Sequence, residues 1–263
     1  MLTMILIFLC VGLFTGTVAG LLGIGGGVIA VPALYYILGF YGVPPERIMH
    51  VAAATALAST FIASASSSCL FCQRKEVDPY VIGLTIPGMV LGCGLGIFSL
   101  TFLSTLILRT IFGVIALIFS AYYFFPHLPE MNLAPAPNRW LILLGFIFGM
   151  LSALLGVGSG LFMFPVLLGY HLATPYAAGT ACMTTLLSAF VASIGYFWIS
   201  QGEVSAPYSF GYIQIPAFLA IGFSSFFTAL IGAKFTHIFP IAHLKRVFAV
   251  ALALTGAAMI LGK

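Results

Sequence analysis

Gly20-Leu21-Leu22-Gly23-Ile24-Gly25-Gly26-Gly27 interrupts a hydrophobic stretch that runs from Leu2 to Phe40, at the point where a membrane-spanning helix ought to continue. Each glycine in a helix interior costs about 1 kcal/mol relative to alanine, so three in a row inside an apolar segment should unwind it locally. A second copy lies downstream. A shift of 133 positions lays Gly16, Gly23, Gly25, Gly27 and Pro32 on Gly149, Gly156, Gly158, Gly160 and Pro165, with Ser159 opposite Gly26. Irregular backbone at membrane depth is tolerated only where it is buried in protein or lines a watery cavity. Two such breaks in matching positions of two half-chains are the sequence pointer to a transporter's substrate site.

Composition supports the membrane setting. The 263 residues are 62% hydrophobic and only 5% charged, with a mean hydropathy of +1.21, whereas a soluble domain carries roughly 25% charged residues. Apolar runs of about 14 to 27 residues suit helices and not the alternating ten-residue segments of a transmembrane barrel. The fold class expected is therefore all-α: a polytopic helical membrane protein with two internal repeats, inverted relative to one another, and about 8–10 transmembrane segments with glycine-broken helices. The net charge of +4 comes from nine Lys and Arg spread over span ends, which reads as topology determination, not nucleic-acid binding. The first apolar segment has no basic leader and runs straight into the glycine motif, so no signal peptide is assigned. Cys10, Cys69, Cys72, Cys93 and Cys182 are odd in number and lie in or beside apolar segments, which argues against a disulfide framework.

Along the chain, Thr3 to Leu22 can cross a bilayer, and Val28 to Phe40 only partly. Pro32 falls early in that second piece, where a missing amide donor is least harmful. A loop at 41–47 leads to a helix from about Glu46 to Cys72 whose Ala52 to Thr60 and Ser64, Ser66, Ser67 and Ser68 form a face of small and hydroxyl residues, suited to close helix approach. The charged loop 73–79 precedes a glycine-rich span, Tyr80 to about Leu100, and then Leu103 to Phe125. The second half repeats this with Trp140 to Leu155, Leu161 to Tyr170, Tyr176 to Ser200, a span around Pro216 and Gly232, and a last one from about Ala242 to Leu261. Ala178-Gly179-Thr180-Ala181 answers Ala53-Ala54-Thr55-Ala56, and Thr184-Thr185 answers Ser59-Thr60. Residues 1–125 are thus assigned to one repeat, 126–139 to a linker and 140–263 to the other, within one transmembrane domain. If both pieces flanking each break cross the membrane, each half has five segments, an odd number that inverts the halves, and basic residues then divide six to three, which places both termini outside. If each broken pair crosses only once, the split is four to five and decides nothing.

At each break the following half-helix begins with amides that lack intrahelical partners, and its dipole adds about half a positive charge there. Glycines let the backbone approach a bound group closely, so each break reads as an anion cradle that needs no basic side chain. The substrate-binding residues expected are Gly23, Gly25, Gly26, Gly27, Thr55, Gly156, Gly158, Ser159, Gly160, Thr180 and Thr184. The plainer alternative is that the glycines serve tight helix packing and that Thr55 and Thr180 bond back to their own helix.

These residues resemble the TauE/SafE family of membrane permeases, also described as sulfite-exporter-like. The resemblance is carried by Gly-Leu-Leu-Gly-Ile-Gly-Gly-Gly with Pro32, by Ala-Leu-Leu-Gly-Val-Gly-Ser-Gly with Pro165, and by Ala178-Gly179-Thr180. It implies a permease for small anions, with sulfite, organosulfonates such as sulfoacetate and related sulfur oxyanions as the associated substrates, moved by secondary transport. Ser159 stands where a glycine is frequent, and Ala54 where the second half has Gly179. Both departures leave substrate identity open.

Other constellations are weaker. Cys69-x-x-Cys72 has no second pair or histidine to complete a tetrahedral site and reads as buried structural thiols. Gly158-Ser159-Gly160 lacks a histidine base within a span, which argues against an intramembrane protease. Arg109, one turn inside its segment, either snorkels to the interface or attracts an anion at the pathway entrance. Neither glycine run continues into Gly-Lys-Ser/Thr, so no ATP-binding loop is present. The reading is a secondary transporter for a small anion working by alternating access, with no catalytic residues, no metal and no cofactor. The partners expected are a small anionic substrate and the lipid bilayer, with a homodimer left open and no nucleic acid, in the cell membrane. The alternatives are a permease for another small anion or carboxylate, a non-transporting assembly or sensor subunit, and, last, a membrane-embedded enzyme.

Overall fold

The structure is a computed structural model that describes residues 2–124, 138–200, 208–236 and 241–262. Most of the linker assigned to 126–139 lies outside the described residues. Ten helices follow in chain order: α1 (Leu2–Leu22), α2 (Gly27–Phe40), α3 (Ile48–Gln73), α4 (Pro79–Leu100), α5 (Thr105–Phe124), α6 (Asn138–Leu155), α7 (Gly160–Gly169), α8 (Thr174–Ile199), α9 (Ile215–Phe235) and α10 (Ile241–Leu261). Six of them, α1, α3, α4, α5, α8 and α9, are long and apolar enough to cross a membrane. The 14 residues of α2 and 10 of α7 reach only about 21 and 15 Å at 1.5 Å per residue, short of a hydrocarbon layer about 30 Å thick. They are half-helices. The chain is a polytopic helical membrane protein.

Polarity is distributed as lipid demands. Leu6, Phe14, Leu91, Phe98, Ile118, Trp198, Phe223 and Leu254 are exposed, while Thr55, Ser59, Thr60, Ser67, Ser159, Thr180, Thr184, Thr185 and Ser188 are buried. The hydroxyls occur on α3, on α8 and at Ser159 just before α7, and α3 is the inner column, with 83% of its apolar window buried against 28–44% for the other five long helices. Around it α1 packs on α9, α4 on α6, α5 on α10, and α3 on both α8 and α9.

The glycines outside the breaks explain how closely these pairs approach. On α1, a side-chain carbon at Gly16 would lie 2.6 Å from Ser225 Cα, and one at Gly20 would strike the Ala229 carbonyl. On α4, side chains at Gly88 and Gly92 would strike the carbonyls of Ile142 and Phe146 on α6. Small residues at four-residue spacing thus bring backbones together where lipid offers no hydrophobic drive.

Two features depart from the sequence reading. A hairpin of two short strands, β1 (Ser209–Phe210) and β2 (Ile213–Gln214), precedes α9. Its turn is permitted by Gly211 at φ +60°. Cys69 and Cys72, expected to be buried, are exposed. The last turn of α3 buries Phe71 between them instead, so both thiols face outward.

Candidate functional site at two broken helices

Both breaks exist. The chain leaves helical geometry between Leu22 and Gly27 and again between Leu155 and Gly160. Gly23 (φ +66°), Gly25 (φ +77°) and Gly156 (φ +75°) adopt left-handed backbone, which only glycine takes without strain. Pro32 and Pro165 both sit inside the half-helices that follow, within the first two turns. Every residue from Gly23 to Gly27 and from Gly156 to Gly160 is buried.

The two breaks meet. A side-chain carbon on Gly25 would lie 3.7 Å from Gly158 Cα, and one on Gly27 would lie 2.5 Å from the Gly156 carbonyl oxygen. One on Gly160 would collide with the carbonyl of Gly23. Each break also presses on a long inner helix of the other half: Gly156 on Ala53 of α3, where a side-chain carbon would come within 2.5 Å of Cα, and Gly23 on the carbonyl of Ala178 of α8. Glycine is required at these positions for contact as well as for dihedral angle.

Hydrogen bonding divides the two breaks. At the second, Ser159 N donates to Ser188 Oγ at 3.1 Å and Gly160 N donates to Thr185 Oγ1 at 2.9 Å. Ser152 Oγ donates to Ser188 Oγ at 3.2 Å, and Ser188 Oγ in turn donates to the Thr185 carbonyl. At the first, the α2 amides begin bonding only with Ile29 and Ala30, both to Gly26 O. Among the described residues, the amides of Gly26, Gly27 and Val28 have no protein acceptor. Neither N-cap residue, Gly26 or Ser159, caps its half-helix with a side chain of its own. Ser159 Oγ is fully buried and is also without a partner. Orphaned buried donors are few in native proteins, and each calls for an explanation such as a bound water or ion.

The threonines named from sequence divide by position. Thr55 Oγ1 accepts the amide of Gln214, the residue before α9, at 3.0 Å, and Thr180 Oγ1 accepts the amide of Asp78, the residue before α4, also at 3.0 Å. Asp78 in turn caps α4, its carboxylate accepting from Tyr80 N and Val81 N. Thr184 Oγ1 bonds back to Ala181 O within its own helix. Among the hydroxyl residues that face the breaks, besides Ser188 and Thr15, are Thr60 and Thr185, whose methyl groups sit 3.1 and 2.9 Å from where a Gly25 side chain would begin. The signal was present in the pairing of Thr184-Thr185 with Ser59-Thr60. Beside the breaks, Val28, Phe112, Ile115, Ala116, Leu155, Val157, Leu161 and Leu252 enclose a cavity of about 10 Å³, room for about one water.

A polytopic helical bundle whose two broken half-helices meet in a buried, hydroxyl-bearing centre is the architecture of a membrane transporter. The chain belongs to the family described as "Sulfite exporter TauE/SafE", whose model matches residues 8–259. It is 30% identical over 260 residues to a "Probable membrane transporter protein" of Haemophilus influenzae, covering 96% of each chain. It is 26% identical over 259 residues to a probable membrane transporter protein of Methanocaldococcus jannaschii, covering 97% of this chain and 95% of that one. No solved structure matches. Family and relatives together make it a membrane transporter and not an enzyme.

Proposed function

We propose that the protein moves a small anion, with a sulfur oxyanion such as sulfite or an organosulfonate as the class favoured, by alternating access around the paired breaks. The observation that carries this reading is the set of unspent donors at the break: the amides of Gly26, Gly27 and Val28 and the hydroxyl of Ser159. An oxyanion with three or more acceptor atoms supplies what those groups lack. The half-helix dipole adds favourable potential for negative charge. The family's name supports the choice of sulfur oxyanions.

Alternating access is supported by how the halves exchange partners. The sequence shift that lays α1 on α6 and α4 on α9 also relates the α1–α9 contact to the α6–α4 contact. Gly156 against Ala53 corresponds likewise to Gly23 against Ala178. Two inverted repeats about a pseudo-two-fold axis account for these correspondences, and rocking one group of helices against the other opens the centre alternately to each side. The apolar cavity beside the breaks is about 10 Å³, too small for such an anion. Opening requires α5 and α10 to move away from α2 and α7, since their side chains wall the cavity.

Purified protein titrated with sulfite, sulfoacetate, sulfate and thiosulfate, then reconstituted in liposomes with the labelled anion that binds, tests the reading. Saturable binding and uptake support it. A protein that binds and moves none of the panel is something other than this permease.

A further inference from the structure

A second site for negative charge lies away from the breaks, where α5 begins. Arg109 is half-buried on the second turn of α5, and its Nη1 donates to Tyr35 Oη of α2 at 3.3 Å. Its Nε is buried and makes no hydrogen bond, and among the described residues Tyr35 is its sole partner. The guanidinium faces a cavity of about 370 Å³ lined by Tyr35, Pro45, Glu46, Ser104, Thr105 and Leu106. The Thr105 hydroxyl donates to the backbone carbonyl of Glu46, which ties the loop between α2 and α3 to the start of α5 and fixes the rim.

A charged side chain in a membrane helix is costly and is retained where it pairs or serves a pathway. The Arg109 Nε is enclosed by protein, while the end of the guanidinium lines the open cavity. Among the described residues no carboxylate pairs with Arg109. A guanidinium presents its donors as a planar fork that matches two oxygens of one oxyanion, and here part of that fork is unspent beside open space. Tyr35 is eight residues past Gly27 on α2, about 12 Å along the helix. On α5, Phe112 and Ala116 follow Arg109 at three and seven residues, on one helical face, and both wall the small cavity at the breaks. Phe112, which walls the small cavity, is thus about one turn of α5 from Arg109.

The geometry points to an oxyanion-binding site at Arg109 and Tyr35, separate from the breaks. Its ligand is a small oxyanion, either free in solution or as the phosphate of a lipid headgroup. The role as an antechamber rests on the transport reading; the site itself does not. Glu46, which lines the same cavity, carries a charge that opposes binding and limits affinity.

The test uses the full chain in nonionic detergent, as wild type, Arg109→Gln, Arg109→Lys, Glu46→Gln and Ser159→Ala. Sodium sulfite binding is followed by calorimetry, and retention of phosphatidylglycerol against phosphatidylcholine by native mass spectrometry. Arg109→Gln should weaken one of these by about tenfold or more, Arg109→Lys less, and Glu46→Gln should strengthen it. Ser159→Ala should leave the Arg109-dependent component in place. A loss confined to sulfite assigns the site to a free anion, and a loss confined to phosphatidylglycerol assigns it to a headgroup. If Arg109→Gln matches wild type in both, the site does not exist. Arg109-dependent binding without sulfite movement in liposomes would instead contradict the transport reading alone.

Discussion

The Gly160 amide donates to Thr185 Oγ1 at 2.9 Å, while the Gly27 amide, its counterpart under the sequence shift, finds no acceptor although Thr60 occupies the place corresponding to Thr185. At the second break the protein's own hydroxyls accept the Ser159 and Gly160 amides, whereas the amides of Gly26, Gly27 and Val28 at the first have no acceptor among the described residues. The difference extends outward. Ser152 and Ser188 bond one another at 3.2 Å, whereas Ala19 and Ala63, at the matching positions, share an apolar cluster.

That asymmetry gives opposite expectations for two similar substitutions. Thr185→Val leaves the buried Gly160 amide unpaired and should cost about 1–3 kcal/mol of stability. Thr60→Val removes a hydroxyl that makes no hydrogen bond to protein and should cost under about 0.5 kcal/mol, while lowering anion affinity. Thermal unfolding in detergent with calorimetric titration separates them; equal destabilisation would mean that the two breaks are built alike.

The threonines at Thr55 and Thr180 are expected to act as loop anchors. Removing either hydroxyl by substitution with Val should accelerate hydrogen exchange about tenfold at the one amide it accepts, Gln214 for Thr55 and Asp78 for Thr180. Unchanged exchange at those amides would remove the anchoring role.

Glycines on α4 should separate by face. Gly92→Ala puts a methyl group against the Phe146 carbonyl and should destabilise by about 1–3 kcal/mol through forced separation of α4 and α6. Gly94→Ala meets nothing within 4 Å and should be neutral or stabilising by up to about 1 kcal/mol through helix propensity. Unfolding midpoints of the two variants decide the matter, and a reversed order would place the helix contact elsewhere.

How much of this architecture is legible in the sequence depends on what each residue obeys. Gly23, Gly25 and Gly156 were legible because glycine runs inside apolar segments answer to local backbone sterics, and Pro32 and Pro165 reported where the half-helices resume. The hydroxyl face of α3 was legible as a face. Which hydroxyl looks at the break was not, because Thr55 and Thr60 are separated by about 7.5 Å of helix and the rotation of α3 is set by contacts such as Ala53 on Gly156. The Ser209–Gln214 hairpin has strands of two residues, too short for alternation to register. The exposure of Cys69 and Cys72 turns on where α3 ends relative to its neighbours, which spacing along one helix does not encode.

The most direct measurement is the effect of Ser159→Ala. Its hydroxyl is fully buried and unpaired in the protein, so for the protein alone its removal should leave stability unchanged or raised by up to about 1–3 kcal/mol. If that hydroxyl holds the anion, calorimetric titration with the bound member of the oxyanion panel should weaken by about tenfold at the same time. Intact affinity in a protein of equal or greater stability would contradict a guest held between the two breaks.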